Sequence, residues 1–161
     1  MSGAGGDVPD EFAVSVVVDA GVDAVWRALT DPAEMAAWMG EPTLRIAVSA
    51  DWRVGGAVVI TGFHHAPFRN IGVVQVCDEP RHLQYTHRSS MSRLPDVPES
   101  DTIQDFQLVP REQKTSLTAT FRHFPTFSIY KHLAFYWRGT LPILARHVLS
   151  RAAAADGVSL S

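Results

Sequence analysis

The side chains best suited to chemistry in this chain are few and scattered. Tyr85 and His87 stand two apart in residues 83–88, a stretch that alternates as a strand does, so both point the way Leu83 points. If Leu83 faces a core, a phenol and an imidazole sit on an otherwise apolar wall, the arrangement of a small-molecule site. The imidazole would also serve as acid or base near neutral pH. The plainer alternative, which carries the greater weight, is a strand-end histidine satisfied by a backbone carbonyl. It applies with more force to His123.

Other groups point away from catalysis. His64 and His65 are neighbours, and neighbours on an extended chain face opposite sides, so they do not chelate one ion together. No HExxH, cysteine cluster or ligand-spaced carboxylates accompany them. Cys77 lacks a His-Asp context and reads as inert. Asp105 falls on an expected wet face without an acid/base partner. Gly55-Gly56 is followed by strand residues, with no helix N-terminus to hold a phosphate. No catalytic residue, metal or cofactor is therefore assigned.

Composition narrows the setting. A chain of 161 residues with 46% hydrophobic residues is long enough for one domain with a proper core and room for a cavity. We expect a single domain over residues 11–155, a disordered Gly-rich tail over residues 1–10 and a frayed tail over residues 156–161. Fourteen basic against 17 acidic residues, with no basic block, argue against nucleic acid and anionic membrane surfaces. One cysteine permits no internal disulfide, and no signal peptide or long apolar run appears. The expected setting is cytoplasmic, without membrane insertion.

The elements that must position Tyr85 and His87 read in order. Residues 12–18 are β-branched and strand-like. Val22, Val25, Trp26 and Leu29 follow helical spacing, and Asp31-Pro32 caps a second short helix that Gly40 ends. Strands are expected over 43–49, 57–63, 70–77, 83–88, 103–109 and 115–123, with a polar, Pro-containing loop over 89–101. The later strands alternate. Gln104, Phe106 and Leu108 share one face, as do Leu117, Ala119 and Phe121, while Arg88, Asp105 and Arg122 are opposite. Residues 128–155 read as one amphipathic helix. Ile129, Leu133, Trp137, Thr140, Leu144 and Val148 lie on one face, and Lys131, Arg138 and Ala145 opposite. Pro142, mid-helix, removes the bond to the Arg138 carbonyl and should bend it.

Five stretches resemble a known family: VWRALTDPAEMAAWM (25–39), DWRVGG (51–56), GVVQVCDEPRHLQYTH (72–87), KTSLTATF (114–121) and YWRGTLPILARHV (136–148). Together they resemble the START-like helix-grip (SRPBCC) superfamily, and within it the branch of homologues of the activator of the heat-shock chaperone ATPase. Two positions depart from it: Trp38-Met39 where relatives often have paired tryptophans, and His87 where the strand often ends in tryptophan. The resemblance implies an α+β fold, a curved antiparallel sheet of about six to seven strands around a long C-terminal helix, with two short helices after the first strand.

It also implies one scaffold for several functions. The first expectation is binding of a hydrophobic or amphipathic small molecule between sheet and C-terminal helix, walled by Trp38, Tyr85, His87, Phe106, Phe121, Leu133, Trp137 and Leu141. The second is a polyketide cyclase- or hydratase-like enzyme using His87 and Tyr85. The third is a protein-binding co-chaperone domain. Phe135, outward beside Pro142 and Arg146, suggests a homodimer contact.

Overall fold

The computed structural model describes residues 7–160, with side chains as far as Ala154. Most of the expected N-terminal tail, residues 1–6, and Ser161 lie outside the described residues. Strand β1 (Glu11–Val18) is followed by helices α1 (Val22–Thr30) and α2 (Pro32–Met39). Then come β2 (Ala47–Ala50), β3 (Ala57–Phe63), β4 (Pro67–Asp78), β5 (His82–Ser89), β6 (Thr102–Arg111), β7 (Lys114–Arg122) and α3 (Phe127–Leu160). All seven strands form one antiparallel sheet in the order β1-β7-β6-β5-β4-β3-β2. The curved sheet grips α3, which is the α+β helix-grip architecture. Because β1 and β2 occupy opposite edges, α1 and α2 carry the chain from one edge to the other and close one end of the grip.

Local chemistry explains these elements. Val25, Trp26 and Leu29 bury the apolar stripe of α1. The Asp31 carboxylate accepts from the backbone N–H groups of Ala33 (2.8 Å) and Glu34 (3.3 Å), and Pro32 stands at the first position of α2. Trp38 Nε1 donates to the Ala28 carbonyl at 2.7 Å, and Trp52 Nε1 to the Thr30 carbonyl at 2.6 Å, so two indoles tie the helices to each other and to the turn before β3. In that turn a side chain at Gly56 would collide with the Asp51 carbonyl, and one at Gly72 on β4 would collide with the Thr86 carbonyl of β5. Close backbone approach selects glycine at both positions.

Four expectations change. Residues 43–49 are not one strand: Pro42–Leu44 is a single 3-10 turn and Arg45 takes a left-handed conformation (φ 51°), leaving β2 only Ala47–Ala50. Proline at the first position starts a turn, and the left-handed residue ends it. Asp105 lies on the expected outer face of β6 but is 3% exposed, covered by His82 (2.6 Å) and Gln107 (3.3 Å). Ala145, expected on the outer side of α3, is buried because α1 and α2 pack on this helix as well as the sheet. The helix also continues beyond residue 155 to Leu160; alanines at 152, 153 and 154 favour that extension. Pro142 sits inside the continuous α3. No helix among the described residues is long and apolar enough to cross a membrane.

Between sheet and helix the core is aromatic. Trp137 on α3 meets Phe121 at 5.2 Å, Phe106 at 5.5 Å and Trp38 at 5.9 Å between ring centroids. Phe12 of β1 stacks on Phe121 at 4.8 Å. Farther along α3, Leu141, Leu144 and Val148 complete a dry interior.

Candidate functional site: a cavity at the start of the long helix

The space between sheet and helix is filled in one half and open in the other, and side-chain size decides which. Along β6, Phe106 and Leu108 fill the interior, whereas Thr102 and Gln104, on the same face, leave room. Along β5, Leu83 is fully buried, while Tyr85 and His87 border the open part. On α3 the first three turns contribute Ile129, Leu133 and Trp137 to its wall; Leu141 and Leu144 belong to the filled half. The result is a cavity of about 530 Å³ with a mostly apolar wall, within the size range of small-molecule sites.

Four further elements border it. Met39 at the end of α2 closes one side, where the Tyr136 hydroxyl donates to its carbonyl at 2.7 Å. Ile60, Phe68 and Asn70 come from β3 and β4. The loop between β5 and β6 covers the rest with Met91, Leu94 and Ser100. That loop is held by Arg88: one Nη donates to Asp96 Oδ1 (2.6 Å), the other to the Pro95 carbonyl (3.0 Å), and Nε lies 3.5 Å from Asp101 Oδ1. Arg88 was expected to face solvent; its side chain is only 12% exposed because the loop folds over it. Phe68 also borders a shallow outer depression of about 450 Å³ between Arg45, Phe63 and Arg69.

Burial keeps three of the cavity's titratable groups, Tyr85, His87 and Tyr136, in their uncharged forms at neutral pH. Burial pushes the Tyr85 phenol well above its ordinary range, nearby Tyr136 adds to this, and a hydrogen bond with Gln104 works the other way. Tyr136 is pushed up to about 12 by burial, opposed by Thr140. His87 is pushed down to about 4, first by burial and then by His132 across the cavity. Its ring borders the cavity, which is partly open to solvent. The Asn70 Oδ1 is buried with no hydrogen-bond partner among the described residues. The one arginine in the wall is engaged by two aspartates. Such a wall can seat an uncharged body and orient it by hydrogen bonds.

Of the eight wall residues expected from sequence, Tyr85, His87, Leu133 and Trp137 border the cavity. Trp38, Phe106, Phe121 and Leu141 do not; they are at most 2% exposed and pack the filled half. Sequence reasoning passed over Asn70, Gln104, Ile129 and Tyr136 as wall residues. Gln104 had a signal, a polar side chain on a dry strand face. His123 Nδ1 donates to the Asp101 carbonyl at 2.6 Å, because a carbonyl oxygen can only accept. That is the plain strand-end role. His64 lies at the cavity rim and His65 outside it. Among the described residues no group of three or more His, Cys, Asp or Glu is placed to hold a metal ion.

The family described as Activator of Hsp90 ATPase homolog 1-like protein matches residues 19–148 of this chain. Solved structures are similar over nearly the whole length. A protein from Cytophaga hutchinsonii superposes with a TM-score of 0.73 at 23% identity, covering 91% of this chain and 99% of the other. One from Nitrosomonas europaea gives 0.73 at 22%, covering 89% and 96%. DynU16, described as a protein in the dynemicin biosynthetic locus, gives 0.66 at 23%, covering 87% of this chain and 47% of its own. At these identities the likeness is one of fold. No curated protein matches the sequence.

Proposed function

The chain belongs to the Activator of Hsp90 ATPase homolog 1-like family, and on that premise we propose that it binds a hydrophobic or amphipathic small molecule between the sheet and α3. The observation that carries this reading is the cavity of about 530 Å³ next to a close-packed core. A fold able to fill one half of its interior with phenylalanine, leucine and tryptophan leaves the other half as open space behind a mostly apolar wall with a few polar groups. Affinity comes from apolar burial at roughly 25 cal/mol per Å², and Tyr85, His87 and Gln104 orient the guest. The cytoplasm is the setting we assign, in keeping with a lone cysteine and no expected disulfide.

The test fills the space. Leu133→Trp places an indole in the cavity; titration with 2-naphthol, followed by tryptophan fluorescence and calorimetry, should show binding to the wild type and at least a tenfold loss in the variant, with cooperative unfolding retained. Equal affinity in both would remove the reading. Phe121→Trp is unsuitable for this test, because Phe121 is fully buried away from the cavity and an indole there would overpack the core.

One observation favours a second reading, a cyclase- or hydratase-like enzyme: Tyr85 and His87 border the same cavity. His87 is unprotonated at neutral pH and can accept a proton, though the cause that keeps it neutral also makes it a weak base. Turnover of a hydrophobic carbonyl substrate that disappears in His87→Asn would support it, and no turnover sets it aside. The partner reading includes a homodimer through the outer face of α3, where Phe135 is 83% exposed. A monomeric mass by light scattering at micromolar concentration would remove that part.

A further inference from the structure

The wall holds one polar group that the protein leaves unsatisfied. Asn70 lies on β4, on the same inward side as Phe68, and is opposite Ser89 of β5. Its carboxamide oxygen is shut away from solvent and has no hydrogen-bond partner among the described residues. A buried amide oxygen without a donor is costly, and native proteins leave few such atoms. Two donors of the same wall are committed elsewhere: the Tyr136 hydroxyl donates to Met39 and the Arg88 guanidinium to the covering loop. The terminal torsion of asparagine is broad, so the amide can turn its oxygen toward the cavity without leaving a rotamer well.

The charge of the wall limits what that oxygen can meet. Tyr85 and Tyr136 stay protonated and His87 stays neutral at pH 7, each mainly through burial. Arg88 is the only arginine in the wall, and it already faces Asp96 and Asp101. A carboxylate or ammonium entering this space would lose its hydration and meet an arginine already paired with two aspartates, which is unfavourable. An uncharged guest with one hydroxyl or N–H donor loses little and satisfies the orphan acceptor.

The geometry points to Asn70 as the specificity-determining residue of the cavity, selecting a neutral, largely apolar ligand that carries a hydrogen-bond donor, such as a phenol or alcohol. This rests on the cavity being a binding site. It assigns a ligand class within that reading: hydroxylated and uncharged, as opposed to anionic.

Three naphthalene probes of nearly one size separate the possibilities: 2-naphthol, its methyl ether 2-methoxynaphthalene, and 2-naphthoate, an anion at pH 7. Calorimetry on the full chain should give 2-naphthol about tenfold tighter than the ether, the usual worth of one well-placed buried hydrogen bond, and 2-naphthoate weaker than both. In Asn70→Leu the preference for naphthol over ether should fall to within about twofold, with affinity for the ether retained; retained ether binding also reports that the variant is folded. Asn70→Ala serves the same comparison if leucine overpacks. Equal binding of naphthol and ether by the wild type overturns the assignment, as does a preference that survives both substitutions or a tight complex with 2-naphthoate. If neither neutral probe binds the wild type, the cavity reading itself fails, and this assignment with it.

Discussion

His87 makes the stability of this protein depend on pH with a definite sign. In the unfolded chain its imidazole titrates near 6.5, and in the fold near 4, because burial disfavours the cation and His132 adds repulsion. Between those values the unfolded state holds the extra proton, so stability increases as pH rises through the window and is lost as pH falls through it. The full difference corresponds to about 3 kcal/mol; because the ring borders a cavity that solvent can enter, roughly 1–3 kcal/mol is expected. His87→Gln cannot titrate. Urea unfolding at pH 7 and pH 4.5 should therefore show the wild type losing more stability than the variant by that amount. Parallel losses in the two proteins would mean that His87 is already well solvated in the native state. The same neutral form keeps His87 from adding a positive charge to the cavity at physiological pH.

At the scale of elements, Arg88 fastens the loop between β5 and β6 that covers the cavity. A surface ion pair is worth little, but Arg88 is largely buried and bonds two carboxylates and a backbone carbonyl on one short loop. Burial raises the Asp101 carboxyl, Arg88 opposes that shift, and the pairing fixes the loop's second end. Arg88→Gln should raise amide exchange in residues 90–101 by on the order of tenfold while protection in β6 and β7 is unchanged, and should speed release of 2-naphthol. Unaltered exchange in that loop would mean that Met91 and Leu94 hold it alone. Sequence alternation made the strands on either side legible: 83–88 and 103–109 lie within β5 and β6 as observed. It also put Leu83, Tyr85 and His87 on one face. What alternation cannot report is depth along that face. Leu83 and His87 share a direction, yet one is in the filled half and the other in the open half, because α3 and the covering loop end where they do. The same gap in one-dimensional information placed Phe106, Phe121, Trp38 and Leu141 in the wall when they are in the core. Arg88 was assigned outward for the related reason that a loop thirteen residues away in its far end folds back over it.

For the molecule as a whole, the division of one interior into a packed half and an open half implies an uneven stability map. Trp137 stands at the boundary, with Phe106 and Phe121 on one side and the cavity on the other. Removing a side chain from the packed half opens a new void that rigid neighbours cannot fill. Phe121, fully buried and stacked on Phe12 at 4.8 Å, should cost about 3–5 kcal/mol as Phe121→Ala. Leu133 is also nearly buried, but one side of it already borders open space. Leu133→Ala extends an existing cavity and forfeits fewer contacts, so about 1–2 kcal/mol is expected, below the usual range for a buried leucine. The binding consequence runs the other way. Phe121→Ala should leave 2-naphthol affinity within a few-fold of wild type wherever the variant is folded, whereas Leu133→Ala changes the wall itself and should weaken it more. Urea denaturation paired with calorimetry on the two variants measures both quantities. A Leu133→Ala loss as large as that of Phe121→Ala would show that the two halves form one continuous packed core, and the cavity would then be too tightly enclosed to admit a guest without rearrangement of α3 or the covering loop.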